Sequence, residues 1–184
     1  MQQHNDRNII MSSESSTPHA CPCGHGSEFQ HCCAPVIASP CAAQNAEQLM
    51  RSRYTAFATG NARHLLATHQ ATAANFSDLQ REQLQAEMQG QQWLALRIHN
   101  TERGGAQDET GVVEFTAYYR DTPSNTDKAN IGQLHERSRF SHDNGCWLYV
   151  DGDSLPPTPL GRNDACWCGR SRKYKKCHLK VASN

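Results

Sequence analysis

The chain has no long hydrophobic run: its 184 residues have a mean hydropathy of −0.74, and no stretch is long or apolar enough to span a bilayer. It also carries no excess of charge, with 18 Lys and Arg against 18 Asp and Glu, so the chain is neutral overall. Catalytic signatures are missing as well. There is no Gly-rich phosphate loop, no Gly-x-Ser-x-Gly elbow and no His-Glu-x-x-His helix. The first 17 residues, polar apart from Ile9, Ile10 and Met11, do not read as a secretory leader, and the expectation is a cytoplasmic protein. What the chain does have is cysteine. There are nine, an odd number that argues against a disulfide framework.

Eight of the relevant side chains fall into two cassettes with identical spacing. The first reads Cys21-Pro-Cys23-Gly, with eight residues from Gly24 to His31, then Cys32-Cys33. The second reads Cys166-Trp-Cys168-Gly, with eight residues from Gly169 to Lys176, then Cys177-His178. Each holds four soft ligands in a span too short to fold by burying carbon, which is the signature of a structural zinc site. A tetrahedral cation needs two ligand pairs presented from opposite sides. The Cys-x-Cys pair therefore requires a tight turn, with Gly24, Gly26 and Gly169 placed where positive φ or close backbone approach is needed. The adjacent pairs Cys32-Cys33 and Cys177-His178 are expected at the irregular end of a short helical turn. The Cys32-Cys33 pair leaves open whether one thiol stays unligated. A redox relay is disfavoured because Cys-x-Cys is not the Cys-x-x-Cys of thioredoxin-like sites. Four protein ligands close each site, so no position remains for an activated water. Cys41 and Cys146 have no cassette around them and read as packing residues.

The string Cys166-Trp-Cys168-Gly-Arg-Ser-Arg-Lys-Tyr-Lys-Lys-Cys177-His178 resembles the SEC-C motif, the zinc-binding tail of the SecA translocation ATPase. By that resemblance the ligands are Cys166, Cys168, Cys177 and His178. The first cassette departs from the pattern by ending Cys-Cys and by lacking the basic run, which makes its set Cys21, Cys23, Cys32 and Cys33. With Leu49-Met50-Arg51-Ser52-Arg53-Tyr54-Thr55-Ala56-Phe57 following the first cassette, the chain is similar to the YchJ family of small SEC-C proteins. The resemblance implies two structural Zn²⁺ ions and a partner such as an acidic chaperone surface (SecB) or the ribosome.

The cassettes differ in charge. From Arg162 to Asn184 there are seven Lys or Arg against Asp164 alone, whereas residues 1–46 hold Arg7 against Asp6, Glu14 and Glu28. Zinc with three thiolates and one imidazole adds about −1, and with four thiolates about −2, which widens the contrast. Arg170, Arg172, Lys173, Lys175 and Lys176 around Tyr174 are the candidate partner-binding residues, for an acidic protein surface or for RNA phosphates. Stacking surfaces for RNA are limited to Trp167 and Tyr174. A solvated basic tail that only balances the thiolate charge is the plain alternative.

The middle segment is the one part long enough for a hydrophobic core. Helical spacing runs from Asn45 to Thr59 with Gly60 as C-cap. Asn61 caps a second helix, and Ser77-Asp-Leu-Gln80 is a capping box that opens a third. After Gly90 the period becomes alternating: 93–98, 111–120, 133–140 and 146–150 read as strands, with Asp143-Asn144-Gly145 as a hairpin turn. The fold class is α+β, similar to the cystatin-like cone of nuclear transport factor 2 and ketosteroid isomerase. The expected organisation is a disordered tail (1–17), a zinc cassette (18–40), the cone (41–158) and a second zinc cassette (159–184). The Pro35–Pro40 and Pro156–Pro159 connections are short and stiff enough to bring the cassettes against the cone.

Alternation puts His135, Arg137 and Tyr118 together as a candidate pocket, or as the solvated outer face of the sheet. Arg51 and Arg53 with Asp151 and Asp153 read as ordinary ion pairs, and His64, His69 and His99 as core or surface residues. The expected role is a zinc-binding cytoplasmic adaptor. The alternatives are an enzyme or small-ligand receptor using the cone, an RNA-binding module, and a redox or zinc-store protein.

Overall fold

The computed structural model describes residues 19–121 and 131–178; the expected N-terminal tail, residues 122–130 of the polar linker and residues 179–184 lie outside them. The helices are α1 (Ala34–Ala38), α2 (Ala46–Thr59), α3 (Ala62–Ala67) and α4 (Asp78–Glu87). Each of the last three starts where a polar side chain accepts from the first turn. Asn45 accepts from the Gln48 N–H, Asn61 from His64, and Ser77 forms a reciprocal capping box with Gln80. Gly60 ends α2 at φ 71°, a conformation that a side chain would strain. α1 is an addition to the expected helices, with Pro35 in its first turn, where a missing N–H is harmless.

Four strands follow in a simple antiparallel meander: β1 (Gln91–Arg103), β2 (Thr110–Asp121), β3 (Ile131–Asp143) and β4 (Cys146–Ser154). All four are longer than the alternation alone indicates. The β3–β4 turn has Asn144 at φ 50° and Gly145 at φ 79°, the pair of positive values that a tight hairpin of matching twist requires. Register shifts at Trp93/Ala95 and Ile98/Asn100 bend β1. The helices cover one face of the sheet. There Val113, Phe115, Ala117, Phe140 and Trp147 share a core with Leu49, Met50 and Tyr54 of α2. The architecture is α+β, as expected.

Two expectations are corrected. Cys41 and Cys146 are not isolated packing residues but form a disulfide, with Cα atoms 4.2 Å apart. A 3-10 turn over Pro40–Ala42 lays Cys41 across the start of β4, a juxtaposition of residues 105 apart that no local pattern encodes. The arginines of α2 do not pair with Asp151 and Asp153. Arg51 pairs with Glu47 one turn back, both aspartates lie within β4 and bind Arg139 across the sheet, and Arg53 is buried. Among the described residues no helix is long and apolar enough to cross a membrane.

Candidate metal centres

Both cassettes fold into the same backbone figure, position by position. Cys21 N–H donates to Ser27 O and Cys166 N–H to Arg172 O. Gly24 closes on Cys21 O as Gly169 closes on Cys166 O, and a 3-10 turn (Phe29–His31, Tyr174–Lys176) delivers Cys32 and Cys177. Gly24 and Gly169 sit at φ 70° and 73°, so a Cys-x-Cys-Gly turn can hold both sulphurs on one side. Where the first cassette has Gly26 at φ 97°, the second has Ser171 at φ 52°, a strained position for a side chain.

The ligand atoms of Cys21, Cys23, Cys32 and Cys33 all lie within 4.8 Å of one another, and so do those of Cys166, Cys168, Cys177 and His178. Within them Cys23 and Cys32 Sγ are 3.5 Å apart, Cys168 and Cys177 Sγ 3.5 Å, and Cys166 Sγ and His178 Nδ1 3.0 Å. The proton affinities are split accordingly. Hydrogen bonding from Cys33, with smaller contributions from His25 backbone, Cys21 and Cys32, lowers Cys23 to about 5. Burial and the neighbouring Cys23 raise Cys32 to about 12, and the Cys23 hydrogen bond and burial raise Cys33 further. One negative charge is thus shared while the others are resisted. A cation at the centre removes that conflict, because it holds every thiol as thiolate. The donor sets fit a soft divalent ion, and Cys32 and Cys33 both converge.

The cassettes dock on different sides of the cone. Cys21, Cys23 and Cys33 belong to the same buried cluster as Leu49, Met50 and Tyr54. Arg51 Nη1 donates to Cys23 O and Cys21 Sγ meets Thr55 Oγ1 at 3.9 Å. The second cassette lies on the other face of the sheet, where Trp167, 7% exposed, stacks on Tyr118 at 5.5 Å and meets the tilted His178 ring at 4.3 Å. Arg97 Nη2 reaches Ala165 O. The connecting segment is pinned too: His135 Nδ1 lies 2.7 Å from Pro156 O and its Nε2 3.0 Å from Glu114, while Thr158 meets Thr116.

The residues proposed from sequence for a cone pocket therefore lie elsewhere. Tyr118 is under Trp167, His135 holds the connecting segment, and Arg137 pairs with Glu102; none of them lines the cavity between helices and sheet. That cavity faces Leu134, Glu136 and Ser138, the opposite alternation. Of the basic cassette, Arg172, Lys173, Lys175 and Lys176 line an open surface depression with Ser171, and Arg170 is exposed. Tyr174 turns inward against the Tyr118–Trp167 cluster.

Comparison with known proteins agrees with this architecture. Residues 45–152 match the family described as YchJ, middle NTF2-like domain, and residues 162–180 match the SEC-C motif. A UPF0225 protein of Geobacter sulfurreducens is 38% identical over 163 residues, covering 85% of this chain and 96% of that protein. One of Photorhabdus laumondii is 40% identical over 165 residues, with the same coverage of each. The solution structure of a SEC-C motif containing protein from Rhodopseudomonas palustris superposes with a TM-score of 0.60 at 28% identity, covering 74% of this chain and 98% of that one. A SEC-C motif containing protein from Psychrobacter arcticus shares the fold, with a TM-score of 0.55 at 21% identity over 85% of this chain and 93% of that one.

Proposed function

Because this chain belongs to the YchJ family, a middle NTF2-like domain followed by a SEC-C motif, we propose that it is a zinc-braced adaptor whose C-terminal cassette docks an acidic protein surface. The observation that carries the reading is the open depression lined by Arg172, Lys173, Lys175 and Lys176, in which no carboxylate lies within ion-pair distance among the described residues. Four unpaired cations on one small rigid unit attract an acidic partner and set its orientation. Their neighbours favour protein over RNA. Trp167 and Tyr174 are both committed to the sheet, so the cassette offers phosphate contacts without a stacking platform.

In this role zinc is structural. Cys21, Cys23, Cys32 and Cys33 hold one ion, and Cys166, Cys168, Cys177 and His178 the other. The ions supply no chemistry beyond fixing the cassettes, and the second ion keeps the basic run in one conformation. A partner of the kind implied by the SEC-C tail, an export chaperone or a ribosomal protein in the cytoplasm, fits the charge. The test is a quantitative pull-down from bacterial cytosol comparing the intact chain with a variant carrying Arg172→Gln, Lys173→Gln, Lys175→Gln and Lys176→Gln, with zinc content measured for both. Enrichment of ribosomal or translocation components that vanishes in the variant at unchanged zinc, and weakens with salt, is the expected result. Identical eluates from the two proteins would refute the adaptor.

A further inference from the structure

On the helix-covered face of the sheet, opposite the basic cassette, α2, α3 and α4 leave a cavity of about 310 Å³. That is the small end of the range for ligand sites. Its walls are apolar, including Phe57, Leu65, Leu66, Leu84, Phe115 and Leu134. Polar groups gather in one part of the lining. Arg53 is only 7% exposed, donates twice from Nη1, to Leu65 O at 2.9 Å and Thr68 Oγ1 at 2.7 Å, and lies 4.5 Å from the Tyr149 ring centre. No carboxylate lies within ion-pair distance of it among the described residues. Glu136 lines the same cavity, and the bonds it accepts, from Ser138 Oγ at 2.5 Å and Tyr149 Oη at 3.4 Å, both fall on Oε1.

A desolvated guanidinium without a carboxylate partner is destabilising unless something else uses it. Burial lowers Arg53 to about 10, which still leaves it charged at neutral pH, and His69, also in the lining, is depressed by burial and by Arg53. Glu136 attracts Arg53 electrostatically but is not within ion-pair distance of it, so the cavity presents one cation and one carboxylate that are not joined directly. An anionic head group would gain Arg53 and be repelled by Glu136, and an amine would meet the reverse. A neutral head that both accepts and donates satisfies the two together.

We propose that this cavity binds a small apolar molecule bearing a carboxamide, its carbonyl oxygen accepting from Arg53 and its N–H donating to Glu136, with the hydrocarbon part against Phe57, Leu66, Leu84 and Leu134. The inference does not depend on the basic cassette, which lies across the sheet.

Octanamide, octanoate and octylamine titrated into the full chain, with binding read by ligand-observed NMR, test it. Octanamide binds saturably and more tightly than either charged analogue, by about tenfold. Leu134→Trp, or Leu66→Trp should the first not fold, abolishes the binding while the far-ultraviolet spectrum and melting curve stay native. Glu136→Gln removes the repulsion and turns the preference toward octanoate. Equal binding of octanoate and octanamide to the parent chain, an unchanged preference in Glu136→Gln, persistence of binding in a folded Trp variant, or no saturable binding of any probe would each overturn the proposal.

Discussion

Replacing both Cys41 and Cys146 with alanine isolates the contribution of the bridge between the turn preceding α2 and the start of β4. The two residues are separated by 105 positions, so the bond closes nearly the whole cone into one loop. On the chain-entropy account a loop of that length destabilises the unfolded state by about 4.7 kcal/mol. Little else is lost on substitution, because Cys41 is exposed and Cys146 only half-buried, and neither alanine opens a core cavity. The double variant should therefore melt on the order of 10 °C below the parent under non-reducing conditions, with its denaturant slope raised by the more expanded unfolded chain. Intact mass before and after alkylation establishes that the parent carries the bond. A variant melting within about 2 °C of a parent shown to be bridged would refute the tether argument and assign the bond no structural weight.

Trp167→Ala removes the plate on which the second cassette rests, between Tyr118 and His178, and a buried Trp is worth about 3–5 kcal/mol. Hydrogen exchange should show protection lost across residues 155–165 and β2 around Tyr118, with zinc content unchanged. His64 is buried, bonds Ser52 through Nε2 and has no partner at Nδ1; burial, reinforced by Arg53, lowers it to about 4. The unfolded imidazole binds its proton near 6.5, so the parent loses stability as pH falls from about 6.5 toward 4, and full stability is present above that window. His64→Gln should flatten the unfolding free energy against pH in that window, and an unaltered slope would contradict the assignment. Oxidant added to the chelator-treated chain should link Cys23 to Cys32 and Cys168 to Cys177, whose sulphurs are 3.5 Å apart, whereas the zinc-loaded chain should show only Cys41–Cys146 by peptide mapping.

Much of the fold is legible in local chemistry. Asn45 and Gly60 bracket α2, Ser77 and Gln80 open α4, and Asn144-Gly145 turns β3 into β4, because caps and turns are decided by neighbours a few residues away. The cassettes are legible for the same reason: the spacing from Cys21 to Cys33 dictates the closed turn almost by itself. Strand alternation is weaker evidence, since it sorts residues onto two faces without saying which one the helices cover. The polar alternation of His135 and Arg137 suggested a pocket, yet the helices chose the face of Leu134 and Glu136, whose partners Phe115 and Ala117 belong to the core. Arg53 shows the same limit: its burial follows from α3 folding back to offer Leu65 O and Thr68, a tertiary event with no local mark.

The cysteines show how one residue type reaches different ends through geometry. Where four soft ligands converge, as around Cys23 and Cys32, one thiolate forms readily and its neighbours resist ionisation, an arrangement that a cation taking all four as ligands would relieve. Where two converge alone, as Cys41 and Cys146 do, oxidation is the available route. Both outcomes serve one mechanical end. The first cassette is packed onto α2, the bond ties the turn before α2 to β4, and the second cassette is stacked on the outer face of the sheet. The helices are thereby held over the sheet from one side while the basic cassette is held on the other. The proposed docking at the cassette and the proposed occupation of the cavity would consequently act on the same two strands, β2 and β3, which carry Tyr118 on one face and Phe115, Leu134 and Glu136 on the other.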